Sequence, residues 1–484
     1  MKKPFAVSVD RYEGITKQAV NLLAGTLNAK LGNDVLPILR CESAPAALEK
    51  SYTPIYIGRT DTHPILKKYA ELGLISVPDK AEGYAVYVGK ASGGEESDII
   101  LIAGRDESGV LYGCADFCTR YLAYLGYPCI FETAFFDRIL EKPLYPYSVS
   151  EYPRIPTRAI WTWGHKIYDY RGFFENMARL RLNEIVIWND RCPINAEDIV
   201  SYAHSLGIKV VWGFAWGWDQ SSKLERTVAE SDDAMLARIK AQVLKTFEEE
   251  YAGNGDGIYF QSFTEIHKAS VNGNSVAERV TKLVNETAGA LLSRYPELHI
   301  QFGLHATSVR TQTEIIARTD PRIYIVWEDC GAFPYAYLAD RTEGFDETLD
   351  FTKKLLTLRG GDERFGAVLK GLVCLDWGAF VHFHHPYVMG EHPRAFVTRR
   401  TEQKRELWKT VTSGWMRNAE YARKTVAAVA EGAKAPILEL LVEDGCFEEK
   451  IPFPVALMTD FLWNPEQDTA AEMERVAKYP CVEL

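Results

Sequence analysis

The sequence predicts an α/β protein: a small α/β domain over residues 1–150, then a (β/α)8 barrel over 151–484. Three observations carry this. From Thr157 onward, short apolar strands alternate with amphipathic helices until eight of each have passed, the count of a parallel barrel. The first part has a different rhythm of short strands and helices and ends in a stretch punctuated by Pro143, Pro146, Pro153 and Pro156, read as a linker with little regular structure. No strand is followed by GxGxxG or GxxxxGK[ST], the glycine-rich turn of a nucleotide-binding doubly wound sheet, which is the competing architecture.

In the first part, Ile55–Gly58, Tyr84–Val88 and Asp98–Gly104 are runs of β-formers. A helix follows from Val110, with Tyr112, Ala115, Cys118 and Leu122 near helical spacing. In the second part the strands are Arg158–Trp163, Glu184–Trp188, Ile208–Phe214, Gly257–Phe263, Leu298–Gly303, Arg322–Trp327, Gly371–Leu375 and Val455–Thr459. The helices between them begin at recognisable caps, such as Ser231 and the Ser275-Val276-Ala277-Glu278 capping box. The long helix from about Thr401 to Ala430, around Leu407, Trp415 and Met416, has two destinations open to it: the barrel, or a second copy in a homodimer.

Composition narrows the function. The 484 residues exceed one ordinary domain, and 47% hydrophobic with 25% charged residues is the balance of a globular enzyme. Lys plus Arg is 55 and Asp plus Glu is 66, a net charge of −11, which argues against a general nucleic-acid partner. No run approaches the ~18–20 apolar residues of a membrane span. Lys2 and Lys3 have no apolar stretch behind them, so the expectation is a cytoplasmic protein with no membrane partner. The nine cysteines are scattered without a CxxC pair, which reads as buried thiols, and no cofactor is expected.

A barrel enzyme works at the C-terminal ends of its strands. On this reading those ends carry Trp161 and Trp163; Trp188, Asn189 and Asp190; Trp218; Glu265; His305; Trp327, Glu328 and Asp329; Asp376 and Trp377; and Trp463 with Asn464. Taken singly, a tryptophan there is more often core and a glutamate more often a cap or a solvated group. Repeated pairing of flat aromatic faces with acids and amides is instead the lining a sugar calls for. Glycoside cleavage needs one carboxylic acid to protonate the leaving oxygen and a second carboxylate as nucleophile or base. Glu265 is the candidate acid, because apolar Phe263 and Ile266 flank it and raise a carboxyl pKa. Asp376 and Glu328 rank above Asp329 as the partner, since adjacent side chains of one strand point to opposite faces. His382, His384 and His385 look like metal-ligand material, but their spacing matches no zinc motif, and a substrate-contacting loop is favoured.

The segments EGYAVYV and DIILIAGRDESGVLYGCADF, with Gly104, Asp106, Gly109, Tyr112 and Gly113, resemble the small α/β domain ahead of the barrel in family 20 β-hexosaminidases, family 67 α-glucuronidases and family 84 enzymes. Arg158, Phe174, Met177 and Leu182-Asn183 resemble the opening of their barrels. The resemblance implies an exo-acting glycosidase on oligosaccharides or glycosides, with Arg158 binding a sugar hydroxyl or carboxylate. Thr264-Glu265 departs from the Asp-Glu pair of family 20, so the residue that orients an acetamido group is missing and the single glutamate is more like family 67. The competing readings are a non-catalytic carbohydrate-binding barrel and a metal-dependent barrel hydrolase or lyase built on the His382–His385 cluster.

Overall fold

The computed structural model describes residues 4–31, 38–41, 49–91, 97–122, 144, 146–189, 191–216, 232–261, 269–305, 309–328, 335, 339, 344–360, 364–372, 385–444 and 447–484. Eight parallel strands close into a barrel in sequence order: Thr157–Trp163, Glu184–Trp188, Lys209–Gly213, Gly257–Gln261, His299–Leu304, Tyr324–Trp327, Phe365–Leu369 and Ile437–Leu441. The last strand pairs with the first, Leu441 opposite Trp161. The chain is therefore a (β/α)8 barrel preceded by an α/β domain.

Two strands differ from the expected ones. The seventh is Phe365–Leu369 rather than Gly371–Leu375, and the eighth is Ile437–Leu441 rather than Val455–Thr459. Val455–Thr459 lies inside the helix Phe453–Trp463, every residue of which is buried. A helix that is apolar all round has lost the 3.6-residue contrast and reads like a buried strand. Pro454 in its first turn is the sign of the helix start. The long helix runs Arg394–Gly432 and packs through Val411, Trp415, Ala419, Ala422, Val426 and Val429, while Met416 is exposed. Trp415 Nε1 donates to the Gly371 carbonyl at 2.6 Å, so this helix is committed to the barrel.

The first part is a six-stranded sheet in the order Ile38–Arg40, Phe5–Val9, Thr53–Arg59, Asp98–Gly104, Tyr84–Lys90, Tyr147–Glu151. The proline-punctuated stretch thus contributes a strand, Tyr147–Glu151, antiparallel to Tyr84–Lys90. Alternation divides the sheet cleanly. Val7, Ile55, Val86, Ile100 and Ile102 face the main core, and Ala6, Tyr56, Ala85, Ile99 and Leu101 face Leu66 and Tyr69 of the helix Pro64–Glu71. Cys114 and Cys118 are buried thiols here.

The glycine motif after Asp98–Gly104 has a steric reason. The Asp106 side chain caps the next helix by accepting from Gly109 N at 2.8 Å, which folds the chain back on Gly104. A Cβ on Gly104 would lie 2.2 Å from Val110 N and 2.6 Å from Asp106 O, both backbone atoms. Gly104→Ala is therefore expected to lower stability by ~1–3 kcal/mol or more, as overpacking does. A denaturant midpoint unchanged from wild type would contradict this.

Candidate active site

On a closed barrel alternate residues of each strand point to the axis. Trp161, Trp163, Val186, Trp188, Val211, Tyr259, Val326, Val368 and Leu441 form one buried cluster inside it. The rings interlock: Trp161 meets Trp163 at 4.7 Å edge to face and Trp188 at 6.1 Å nearly parallel, and Tyr259 stands edge-on to Trp161 at 5.7 Å. Each tryptophan is 5% exposed, so together they make a floor beneath the C-terminal mouth. The indole Nε1 of Trp161 has no hydrogen-bond partner among the described residues.

Above this floor stand two carboxyls in contrasting surroundings. Glu328 follows the sixth strand and points inward. Its Oε1 accepts from the Tyr259 hydroxyl and from Gln261 Nε2, and its Oε2 lies 3.1 Å from His305 Nε2. Burial works against its charge. The His305 imidazole, the hydrogen bonds from His305 and Tyr259 and the Lys370 ammonium outweigh burial and hold Glu328 below the usual carboxylate range. Burial, with Glu328 and Glu439 beside it, pushes the Tyr259 phenol far up, so it stays a donor.

Glu443 follows the eighth strand and is 2% exposed, with neither carboxyl oxygen hydrogen-bonded among the described residues. Burial pushes it up to about 8; Lys370 and Lys166 pull it down but do not prevail. Lys370, after the seventh strand, therefore acts on both Glu328 and Glu443. Two steps of the alternation deeper, below Leu441, Glu439 is fully buried, and burial followed by Glu184 and Glu328 pushes it well above the usual range. Glu184, accepting from Gln301 Nε2 at 2.7 Å, is pushed up to about 7, first by burial. Among these inward carboxyls, Glu328 is the one held ionised. Environments that push two carboxyls apart define an acid and a base.

The segment 385–392, between the seventh strand and the long helix, lies against the chain that follows the first and second strands. Ile194 N donates to the Tyr387 carbonyl at 2.9 Å, and Asn195 pairs with both the carbonyl and the N–H of Met389. Tyr170 N donates to Gly390 O at 3.0 Å and His392 N to Tyr168 O at 2.9 Å. The Tyr387 hydroxyl donates to Asn189 Oδ1, leaving Asn189 Nδ2 without a partner among the described residues. Gly164 makes this approach feasible, since a Cβ there would sit 2.0 Å from Asn189 Oδ1 and 2.2 Å from the Tyr387 oxygen. The segment 385–392 is thus a fixed wall on one side of the mouth.

The structure brings together Trp161, Trp163, Trp188, Asn189, His305 and Glu328 of the expected set. It moves others. Trp327 is 1% exposed and packs in the core outside the barrel, because its neighbour Glu328 takes the inward direction. Arg158 sits at the opposite, N-terminal end of the first strand, buried, donating to the carbonyls of Arg181, Ile155 and Pro156 and to Glu82. Its donors are spent on the junction with the first domain, not on a sugar. Trp463 and Asn464 end the buried helix Phe453–Trp463 at that same junction, where Trp463 Nε1 donates to Glu151 and Arg158 lies over its ring at 5.2 Å. They too leave the mouth. Asp190, Trp218, Glu265, Asp329, Asp376, Trp377, His382 and His384 lie outside the described residues. His385 is exposed, and no group of three or more potential metal ligands occurs among the described residues.

Glu443, Lys370 and the Tyr259–Gln261 pair are site residues that the sequence reading does not find. The signal for Glu443 is present in Ile437-Leu438-Glu439-Leu440-Leu441-Val442-Glu443-Asp444, an apolar run ending in acids, directly after the longest helix.

No family model matches this chain, and no curated protein does. Solved structures match its fold. A GH138 enzyme targeting pectin rhamnogalacturonan II is 12% identical with a TM-score of 0.51, over 97% of this chain and 65% of that one. A GH115 4-O-methyl-α-glucuronidase with specificity for decorated arabinogalactans is 13% identical with a TM-score of 0.51, over 98% of this chain and 60% of that one. A family 20 β-N-acetylglucosaminidase is 11% identical with a TM-score of 0.47, over 93% of this chain and 87% of that one. At these identities the similarity is one of fold. This chain spans less than two thirds of the length of the first two.

Proposed function

We propose that this chain is a glycoside hydrolase that releases a terminal sugar from an oligosaccharide or glycoside. The observation that carries the reading is the pair at the strand ends, Glu328 held ionised and Glu443 held protonated, with Lys370 acting on both. In this reading Glu443 gives its proton to the leaving oxygen and Glu328 serves as nucleophile or as base for water. The tryptophan floor offers apolar ring faces, and Asn189 Nδ2 and Trp161 Nε1 offer donors to hydroxyls. A floor below and a wall on one side favour a dead-ended pocket, hence a terminal sugar. The shared fold of the GH138 and GH115 enzymes agrees with this. Glu265 and Asp376, which lie outside the described residues, are kept as the competing acid and partner.

The test is hydrolysis of a panel of aryl α- and β-hexosides, N-acetylhexosaminides and uronides. Binding of sugars with no turnover on any member would replace this reading with the non-catalytic barrel; turnover abolished by a chelator and restored by a metal would replace it with the metal-dependent one. The pH profile follows from the two groups. Activity is expected to rise with pH as Glu328 ionises below the usual carboxylate range, and to fall as Glu443 loses its proton near pH 8. A kcat/KM that keeps rising through pH 9 would exclude Glu443 as the acid.

A further inference from the structure

Single apolar side chains scattered over a protein surface are ordinary; two together on the wall of a candidate site are not. Among the described residues Ile194 is the most exposed large apolar side chain, at 70%, and Val388 is 48% exposed. Others, such as Tyr12, Ile38, Leu72 and Met416, stand apart on the first domain or on the long helix. Ile194 and Val388 instead lie on adjoining backbones. Ile194 N donates to the Tyr387 carbonyl, and the Asn195 side chain joins both the N–H and the carbonyl of Met389. Ile194 follows the second barrel strand, and Val388 belongs to the wall between the seventh strand and the long helix, so both stand at the C-terminal rim.

The rim is continuous with the pocket below it. The Tyr387 side chain runs from the wall to Asn189, whose Nδ2 is offered to a hydroxyl above the tryptophan floor. Met389 is buried, so of three consecutive side chains the outer two turn into the molecule and Val388 turns out. A group leaving the mouth on this side passes Tyr387 and meets Val388 and Ile194. The chemistry it meets is one-sided. Both side chains are branched aliphatics, without the flat face that stacks on a sugar ring. The polar groups beside them, Ile194 N, the Tyr387 carbonyl and the N–H and carbonyl of Met389, are engaged with one another or with Asn195, and the Tyr387 hydroxyl donates to Asn189. A second sugar ring here would lose water from its hydroxyls with little in return, whereas a hydrocarbon gains by leaving water. The backbone pairing also fixes the surface beforehand, so binding costs little ordering.

Resting on the reading of this mouth as a sugar site, we infer that the group attached to the terminal sugar is an apolar alcohol, alkyl or aryl, whose hydrocarbon lies on the ledge of Ile194 and Val388. The floor takes the sugar and the ledge takes what the sugar is joined to. Burying two methylenes corresponds to about a tenfold gain in affinity, so the ledge selects among glycosides of one sugar.

The test sets methyl, 2-phenylethyl and n-octyl glycosides of each sugar in the aryl panel against the whole chain, with binding read by calorimetry and cleavage by sugar released. The three alcohols are similarly poor leaving groups, so differences among them report contact and not chemistry. For at least one sugar the 2-phenylethyl or n-octyl glycoside is expected to bind about tenfold or more tightly than the methyl glycoside, with the same ratio in kcat/KM carried by KM. Ile194→Asn and Val388→Thr should each lower that ratio severalfold and the double variant should bring it near one, with circular dichroism confirming the fold; Ile194→Asn alone serves if Val388→Thr misfolds. Preference for n-octyl alone would assign an alkyl group, and for 2-phenylethyl alone an aryl group. Equal treatment of all three alcohols, or a preference indifferent to both variants, would overturn the inference and leave the hydrolase reading standing wherever a glycoside is cleaved. A disaccharide with the same terminal sugar, cleaved more efficiently than either apolar glycoside, would overturn it in favour of a glycan leaving group. A dimer in sedimentation that Ile194→Asn disperses would overturn it in favour of a second copy on the ledge. Apolar glycosides bound in preference, sensitive to the variants and never cleaved, would uphold the inference and overturn the hydrolase reading. No glycoside bound at millimolar concentration would overturn the inference.

Discussion

Glu443→Gln is expected to lower kcat/KM on the cleaved glycoside by ~10²–10⁴-fold, the share that a positioned general acid supplies. Glutamine keeps the shape and loses the proton. Because Glu443 is pushed up to about 8, the variant should also lose the alkaline fall in the pH profile, which a structural lesion would not remove. An aryl leaving group needs little protonation, so the loss should shrink as that group becomes more acidic. Glu328→Gln is expected to be at least as damaging on every leaving group, since the ionised carboxylate is needed throughout. Glutamine keeps one acceptor oxygen and turns the other into a donor, so Tyr259, Gln261 and His305 can no longer all donate to this side chain as they can to the carboxylate. Glu265→Gln and Asp376→Asn belong in the same series. If Glu265→Gln removes the alkaline limb and Glu443→Gln leaves it, the acid is Glu265 and the deep burial of Glu443 has another cause.

Six of the eight barrel strands are legible in the sequence because each is a short β-branched or aromatic run flanked by an amphipathic helix with a visible cap. The seventh strand slips by six residues because Phe365–Leu369 and the segment from Gly371 are both apolar, and nothing local separates them. The eighth fails because the wholly buried helix Phe453–Trp463 has the more strand-like composition. That single error hides Glu443, since a search for acids then follows the wrong strand end. The alternation rule serves better: placing Glu328 inward puts Trp327 outside, as found. Arg158 is beyond the reach of local pattern, because its partners Glu82 and Arg181 come from two distant parts of the chain.

Arg181→Met is expected to destabilise the protein by ~3–5 kcal/mol, the cost of leaving a buried charge without its partner. Arg181 stands where the first domain meets the base of the barrel. It donates to Asp460 and to the Tyr84 hydroxyl, lies 3.8 Å from Glu151 and covers the ring of Trp463 at 4.6 Å. Arg120 bridges Asp116 and Glu151, and Arg475 pairs with Asp460 and Glu472, so cations and anions from both domains share one largely buried junction. The backbone shows what holds Arg181 there. It ends the helix Tyr170–Arg179 in a left-handed conformation, φ 62°, with its N–H on Ala178 O and that of Leu182 on Met177 O, the place where glycine is usual. An arginine at that position is kept for its side chain, so Arg181→Gly should relieve the backbone and still lose most of the stability. Burial opposes the charge of Asp460, yet Arg181, Arg475 and Arg120 hold it down at about 2. Its stabilising contribution is therefore present above the ordinary carboxylate range of ~4 and lost as pH falls toward 2. Arg181→Met should flatten the acid limb of the stability profile, and adding Asp460→Leu should recover a large part of the loss. A single variant as stable as wild type in guanidinium denaturation, followed across pH 2–7, would mean that Arg475 and Tyr479 alone suffice for Asp460 and that the junction is held by its aromatic packing.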